Sequence, residues 1–81
     1  MIITVYSKSN CPNCESAKAL LQANSLEYEE KNAEDPVTWI ELLRKYPDVR
    51  QMPQIFIDDQ RVGGFAGLQA ALKQLGITPS A

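Results

Sequence analysis

The sequence predicts an α/β fold, a four-stranded mixed sheet with three helices in the order β-α-β-α-β-β-α. Three observations carry that expectation. Two helix starts, Cys11-Pro12 and Asp35-Pro36, place proline at the first helical position, and each comes after a β-forming stretch. A polar turn at Asp58-Asp59-Gln60 separates two further β-forming stretches. The chain has 81 residues, 44% of them hydrophobic, enough for a single core in a single domain.

The elements follow in chain order. Ile2 to Tyr6 is short, apolar and β-branched without clean alternation, which predicts a strand buried on both faces. After Pro12, Cys14, Ala17, Leu20, Leu21 and Ala23 recur at near-helical spacing, with Glu15, Lys18 and Gln22 outside, and Asn24-Ser25 stops the helix. Leu26 to Lys31 alternates apolar and charged residues, as a half-exposed strand near an edge does. Strand, helix and strand in thirty residues form a βαβ unit with parallel strands.

Asp35 caps the second helix, whose Trp39, Leu42, Leu43 and Tyr46 form an apolar stripe assigned to the core. Pro47 ends that helix, and a polar loop runs from Asp48 to Met52. Gln54 to Ile57 is a strand, and Arg61-Val62 returns as its hairpin partner. Phe65 to Leu75 is the last helix, with Leu68, Ala71, Leu72 and Leu75 inward and Gly76 as its stop. The domain is expected over residues 1–76, with 77–81 as a frayed tail.

The net charge of -2 argues against a general nucleic-acid or anionic-membrane binder. No stretch reaches the length of a membrane span. Met1 to Tyr6 has neither a basic leader nor a small-residue cleavage site, so a cytoplasmic location is expected.

The chemistry centres on Cys11-Pro12-Asn13-Cys14, which holds both cysteines of the chain. A helix N-terminus presents unpaired N–H groups and a partial positive charge. A sulfur placed there is stabilised as the nucleophilic thiolate. Cys11 as the cap is expected to face solvent, and Cys14, inside the first turn, to be shielded. With no histidine and no third cysteine, one chain cannot complete a structural zinc site. Glu15 stands where a haem-attachment motif needs histidine, and Cys–His catalysis is excluded as well. A close pair in a reducing compartment cycles rather than clamps.

Three stretches together resemble the glutaredoxins of the thioredoxin-fold superfamily. Tyr6 to Cys14 is similar to their dithiol active-site segment, Gln51 to Asp58 to their Thr-Val-Pro-Gln-Ile-Phe-Ile-Asp run, and Val62-Gly63-Gly64 to the double glycine that follows. The resemblance covers nearly the whole chain and implies a thioredoxin-like fold. It implies that Pro53 is a cis-proline facing the cysteines, which leaves the backbone of Met52 to pair with an extended peptide such as glutathione. Lys8 corresponds to the basic residue beside the nucleophile. Gly64, Phe65 and Ala66 would bring backbone N–H groups to a glutathione carboxylate. Asn13 replaces the usual tyrosine between the cysteines, and Gln51-Met52 replace Thr-Val. Ala66 and Gly67 carry no hydroxyl or acid where relatives receive the glutathione amino group. Arg44 and Arg50 are the candidates for the family's second basic contact.

The function so implied is glutathione-dependent thiol-disulfide oxidoreduction of protein disulfides and glutathione mixed disulfides by a monomer. Cys11 and Cys14 are the catalytic pair, glutathione is the reductant, no metal is required, and ribonucleotide reductase is a candidate target. The expected glutathione contacts are Lys8, Asn13, Gln51, Met52, Pro53, Gly64, Phe65 and Ala66. Two alternatives stay open. One is a redoxin reduced by thioredoxin reductase, and the other is a dimer holding a [2Fe–2S] cluster with glutathione.

Overall fold

The structure, a computed structural model, describes residues 1–77. Its elements are β1 (Ile3–Ser7), α1 (Pro12–Ala23), β2 (Glu29–Asn32), α2 (Pro36–Lys45), β3 (Gln54–Ile57), β4 (Gln60–Gly63) and α3 (Phe65–Gln74). This is the expected order, and the sheet runs β2-β1-β3-β4. β1 pairs with β2 in parallel, Thr4 opposite Glu29, and with β3 antiparallel, Ile3 opposite Ile57. The central position of β1 brings its C-terminal end, where the cysteine motif follows, to the middle of the sheet edge.

The two faces of β1 are not equally buried, contrary to the expectation for this strand. Ile3, Val5 and Ser7 are buried, whereas Thr4 and Tyr6 are only half-buried. Ile3 and Val5 of the first set join Ala17, Leu21, Ile55, Ile57, Leu68 and Leu72 in the main core under α1 and α3. The second set faces α2, where Tyr6, Leu42, Val49 and Phe56 form a smaller cluster. A single ten-residue helix covers that face, so its margins stay open. Phe56 ties it together, with ring centroids 5.6 Å from Tyr6 and 5.1 Å from Tyr46. Val49 is 4% exposed, so the Asp48–Met52 loop is not wholly polar but anchors itself in this cluster.

Local signals account for the boundaries. Asp35 accepts the Thr38 N–H at 3.0 Å, as a cap before Pro36 should. The second strand is shorter than expected and begins at Glu29, because Leu26 is drawn into the end of α1. Its N–H donates to the Leu21 carbonyl at 2.9 Å while the Ser25 N–H donates to Gln22, with Ser25 at φ 56°. That is a Schellman closure, and it uses the backbone of Leu26 before a ladder can. Ala23, expected inward, is exposed. Asp58 and Asp59, at φ 50° and 66°, make the hairpin turn between β3 and β4.

The end of α3 closes in the same way, with Gly76 at φ 77° and the Ile77 N–H donating to the Leu72 carbonyl. Ile77 packs against the main core, so the first residue of the expected tail is part of the domain. The rest of that tail, residues 78–81, lies outside the described residues.

Candidate active site

Ser7 ends β1 as a buried polar residue and ties three segments together. Its hydroxyl donates to Glu30 Oε2 at 2.6 Å, and its carbonyl accepts the Ala33 N–H at 2.8 Å. Lys18 of α1 reaches the same Glu30 oxygen at 2.9 Å. The Ser7 hydroxyl, and then Lys18, hold the Glu30 carboxyl below its ordinary range, while Glu30 and then Glu15 push the Lys18 ammonium up. Two residues on, the Ser9 N–H and hydroxyl both donate to the Glu34 carboxylate, at 3.0 and 2.9 Å. Those bonds hold the Glu34 carboxyl low. The turn before the cysteines is thereby fastened to the start of α2.

Asn10, at φ 55°, swings the chain into α1. Cys11 is the cap, and its sulfur accepts the Cys14 N–H at 3.2 Å. The pair is disulfide-bonded, with Cα atoms 5.2 Å apart. On reduction, the same N–H and the helix dipole favour a thiolate on Cys11. The expected asymmetry is present but smaller than the spacing implied. Cys11 is 7% exposed and Cys14 0%, so Cys11 shows solvent only a thin edge. The reason is the loop facing it, whose Met52 carbonyl oxygen lies 3.6 Å from Cys11 Sγ.

The Met52–Pro53 bond is cis, as the resemblance implied. Among the described residues the Met52 N–H has no hydrogen-bond partner. Gly64 sits beside Pro53, close enough that a Cβ there would lie 3.7 Å from the Pro53 carbonyl oxygen. It forms the N-terminus of α3, which no side chain caps and whose first turn holds no acid. The N–H groups of Phe65 and Ala66 are therefore open at that end. Of the two glycines, Gly63 is the one in the left-handed region, at φ 98°. Gly67 is excluded as a position for a polar receptor. A Cβ there would overlap the Val62 carbonyl, with its carbon 2.9 Å away, so the helix sits against β4 only without a side chain.

Met52, whose carbonyl faces Cys11, also lines a groove of about 400 Å³. Lys8, Gln51 and Met52 line it together with Ala33 and Glu34. Pro36, Trp39 and Arg50 complete it. The expected contacts thus divide into two groups around Cys11 and Pro53: Lys8, Gln51 and Met52 on one side, and Gly64, Phe65 and Ala66 on the other. Asn13 is exposed in the first turn of α1 and lines neither. Arg50, rather than Arg44, stands on the groove with Lys8. Trp39, assigned to the core from its stripe, packs against the smaller cluster and also lines the groove. Its place one turn from the helix start was the available signal, since the first turn of a helix lies at the rim of a sheet.

The glutaredoxin family profile matches residues 3–62. The chain belongs to the glutaredoxin family. It is therefore a thiol-disulfide oxidoreductase with Cys11 and Cys14 as its redox-active pair, on a thioredoxin-like fold. Glutaredoxin 1 of Rickettsia bellii is 43% identical over 68 residues, covering 76% of this chain and 67% of that protein. Glutaredoxin 3 of Escherichia coli strain K12 is 34% identical over 77 residues, covering 95% and 93%. In structure, the glutaredoxin-like NrdH-redoxin of Escherichia coli, described as having a thioredoxin-like activity profile, superposes with a TM-score of 0.74. That match has 25% identity and covers 100% of each chain.

Proposed function

We propose that this glutaredoxin reduces protein disulfides and glutathione mixed disulfides with glutathione as its electron source. One observation carries the reading: the Cys11 sulfur, which caps the N-terminus of α1, lies against a cis Met52–Pro53 peptide whose Met52 N–H has no partner among the described residues. An extended cysteine-containing peptide that pairs with that edge presents its sulfur to Cys11. The Cys11 thiolate attacks the substrate disulfide, forms a mixed disulfide and releases one substrate thiolate, which takes up a proton. Cys14, deprotonated, attacks Cys11, forms the Cys11–Cys14 disulfide and expels the second substrate sulfur as a thiol. Two glutathione molecules then restore both thiols and leave as glutathione disulfide.

Gly64, Phe65 and Ala66 on one flank, Lys8, Gln51 and Met52 on the other, and Pro53 between them are the proposed glutathione contacts. Asn13 stands apart from both groups and is proposed only as a contact at the mouth. The protein acts as a monomer in the cytoplasm, where a reducing pool keeps such a pair cycling. Ribonucleotide reductase is the candidate protein target. Turnover of a mixed disulfide, coupled through glutathione reductase to NADPH oxidation, tests the reading. Steady turnover at millimolar glutathione is expected, and its absence overturns glutathione dependence.

A second reading has a specific observation in its favour. The first turn of α3 holds no acid, and no side chain caps it. A glutathione ammonium group would meet no carboxylate there. Reduction by thioredoxin reductase fits that gap, and the NrdH-redoxin with a thioredoxin-like activity profile offers a precedent on the same fold. Exchanging one purified reductase system for the other in the same assay separates the two readings.

A further inference from the structure

A second cavity, of about 230 Å³, opens on the α2 face of the sheet and shares no lining residue with the groove or with the mouth at Cys11. Ladder pairing explains how it is built. Thr4 and Tyr6 of β1 lie on the face that α2 covers, and their cross-strand partners Phe56 and Lys31 stand beside them. The end of α2 adds Lys45 and Tyr46, and the β3–β4 turn adds Asp59. Leu42 and Phe56, both buried, also line it. Its polar groups are mostly donors without partners. The hydroxyls of Thr4, Tyr6 and Tyr46 have no hydrogen-bond partner among the described residues, and the Lys45 ammonium has no ion pair. Lys31 lies over the Tyr6 ring, 5.7 Å from its centroid, and reaches Glu29 only at 4.0 Å. Arg61 lies over the Tyr46 ring but is held by Asp48, so it is not free to serve here. Lys45 also suits the negative end of α2, a role that Arg44 in the same turn shares.

We propose that this cavity is a binding site for phosphate, as the free ion or as a small phosphate ester. No step of disulfide exchange uses its residues, so the site stands apart from the redox chemistry. A phosphate group at neutral pH carries a charge of about -1.5 to -2 and three strong acceptor oxygens. Two ammonium groups match that charge, and three hydroxyls supply further donors. A lysine ammonium is a compact charge that suits phosphate. A carboxylate, with one charge and two oxygens, would leave one ammonium unmatched. The volume lies below the range of about 300–1,000 Å³ usual for larger organic ligands, which confines the ester to a small one. Asp59 is the one carboxylate among the lining residues, and it opposes an anion. Its removal should therefore strengthen binding, whereas removal of either lysine should weaken it.

The test is a titration of the full chain, labelled with nitrogen-15, with inorganic phosphate and separately with phenyl phosphate. Ionic strength is held constant with sodium chloride, and amide shifts are read by NMR. Saturating shifts are expected at Thr4, Tyr6, Lys31, Lys45 and Tyr46, with a Kd of about 1–10 mM. Equal affinity for the two probes assigns the site to the phosphate group alone, and tighter binding of phenyl phosphate assigns it to an ester. Lys31→Gln and Lys45→Gln should each weaken binding by about twofold to fivefold. Asp59→Asn should strengthen it by about twofold, and asparagine keeps the left-handed turn at that position, φ 66°. The same spectra show whether each variant is folded, and the parent chain and Asp59→Asn test the site even where a lysine variant is not. Shifts that never saturate, that centre on Lys8 and Arg50, or that are unchanged in all three variants overturn the proposal.

Discussion

At the scale of single residues, the two sulfurs are distinguished by position more than by chemistry. Cys11 receives a backbone N–H and shows an edge to solvent, while Cys14 is sealed. Alkylation of Cys11 in reduced protein, followed against pH, should remain fast well below pH 8.5, about where a free cysteine titrates. A rate that rises only at or above that value contradicts a stabilised thiolate. Cys14→Ser should keep most activity on glutathione mixed disulfides and lose most reduction of dithiol-requiring protein disulfides. Cys11→Ser should lose both, with mass spectrometry placing any trapped adduct on Cys11. Ala66, exposed in the open first turn of α3, is the position for a new receptor. Ala66→Asp should lower the apparent KM for glutathione by about threefold to tenfold, the range of a partly wet charge-assisted hydrogen bond. An unchanged KM would move the glutathione amino group elsewhere. Gly67→Ala should instead destabilise the fold by roughly 1–3 kcal/mol, because its Cβ meets the backbone of Val62.

At the scale of elements, the helix ends differ in how well their residues suit them. α1 and α3 both close through a left-handed residue, but α3 uses Gly76 and α1 uses Ser25. A residue with a side chain pays a steric cost there that glycine avoids. Ser25→Gly should raise stability by about 0.5–1 kcal/mol, read as an increase of several degrees in Tm. The N-termini show the reverse economy. Asp35 caps α2 through the Thr38 N–H, whereas α3 begins without a side-chain cap beside the cis-proline. Its first N–H groups are left without a side-chain partner, which is why they are proposed as glutathione contacts.

At the scale of the whole molecule, the exposed edge strand β2 depends on polar ties to stay beside the site. Glu30 joins it to β1 through Ser7 and to α1 through Lys18. The Glu30 carboxyl is held low in the folded state, so its contribution to stability is complete above the unfolded value of about 4.3 and fades as pH falls through the lower folded value. Glu34 and Asp48, also held low, fade in the same direction. Glu30→Gln should therefore lower Tm at pH 7 and flatten its decline below about pH 5, relative to the parent chain. A variant whose Tm-against-pH curve runs parallel to the parent's in acid would contradict a role for this cluster.

The order of elements, the caps at Cys11 and Asp35, the Asp58-Asp59 turn and the redox pair were legible in the sequence, because each rests on neighbours a few residues apart. Capping, helical period and turn geometry are local physics, and the cysteine spacing carries its own exclusions. Tertiary structure decided the rest. The near-burial of Cys11 depends on Met52, 41 residues away, and the unequal faces of β1 depend on one helix covering one side. Gly67 looked like a free position until β4 was set against it. Trp39 lay on a regular apolar stripe, and only the meeting of α2 with the Arg50–Met52 loop turned part of it toward a groove. The same meeting chose Arg50 over Arg44, since chain spacing sets a residue's place on its element and packing alone sets what that element faces.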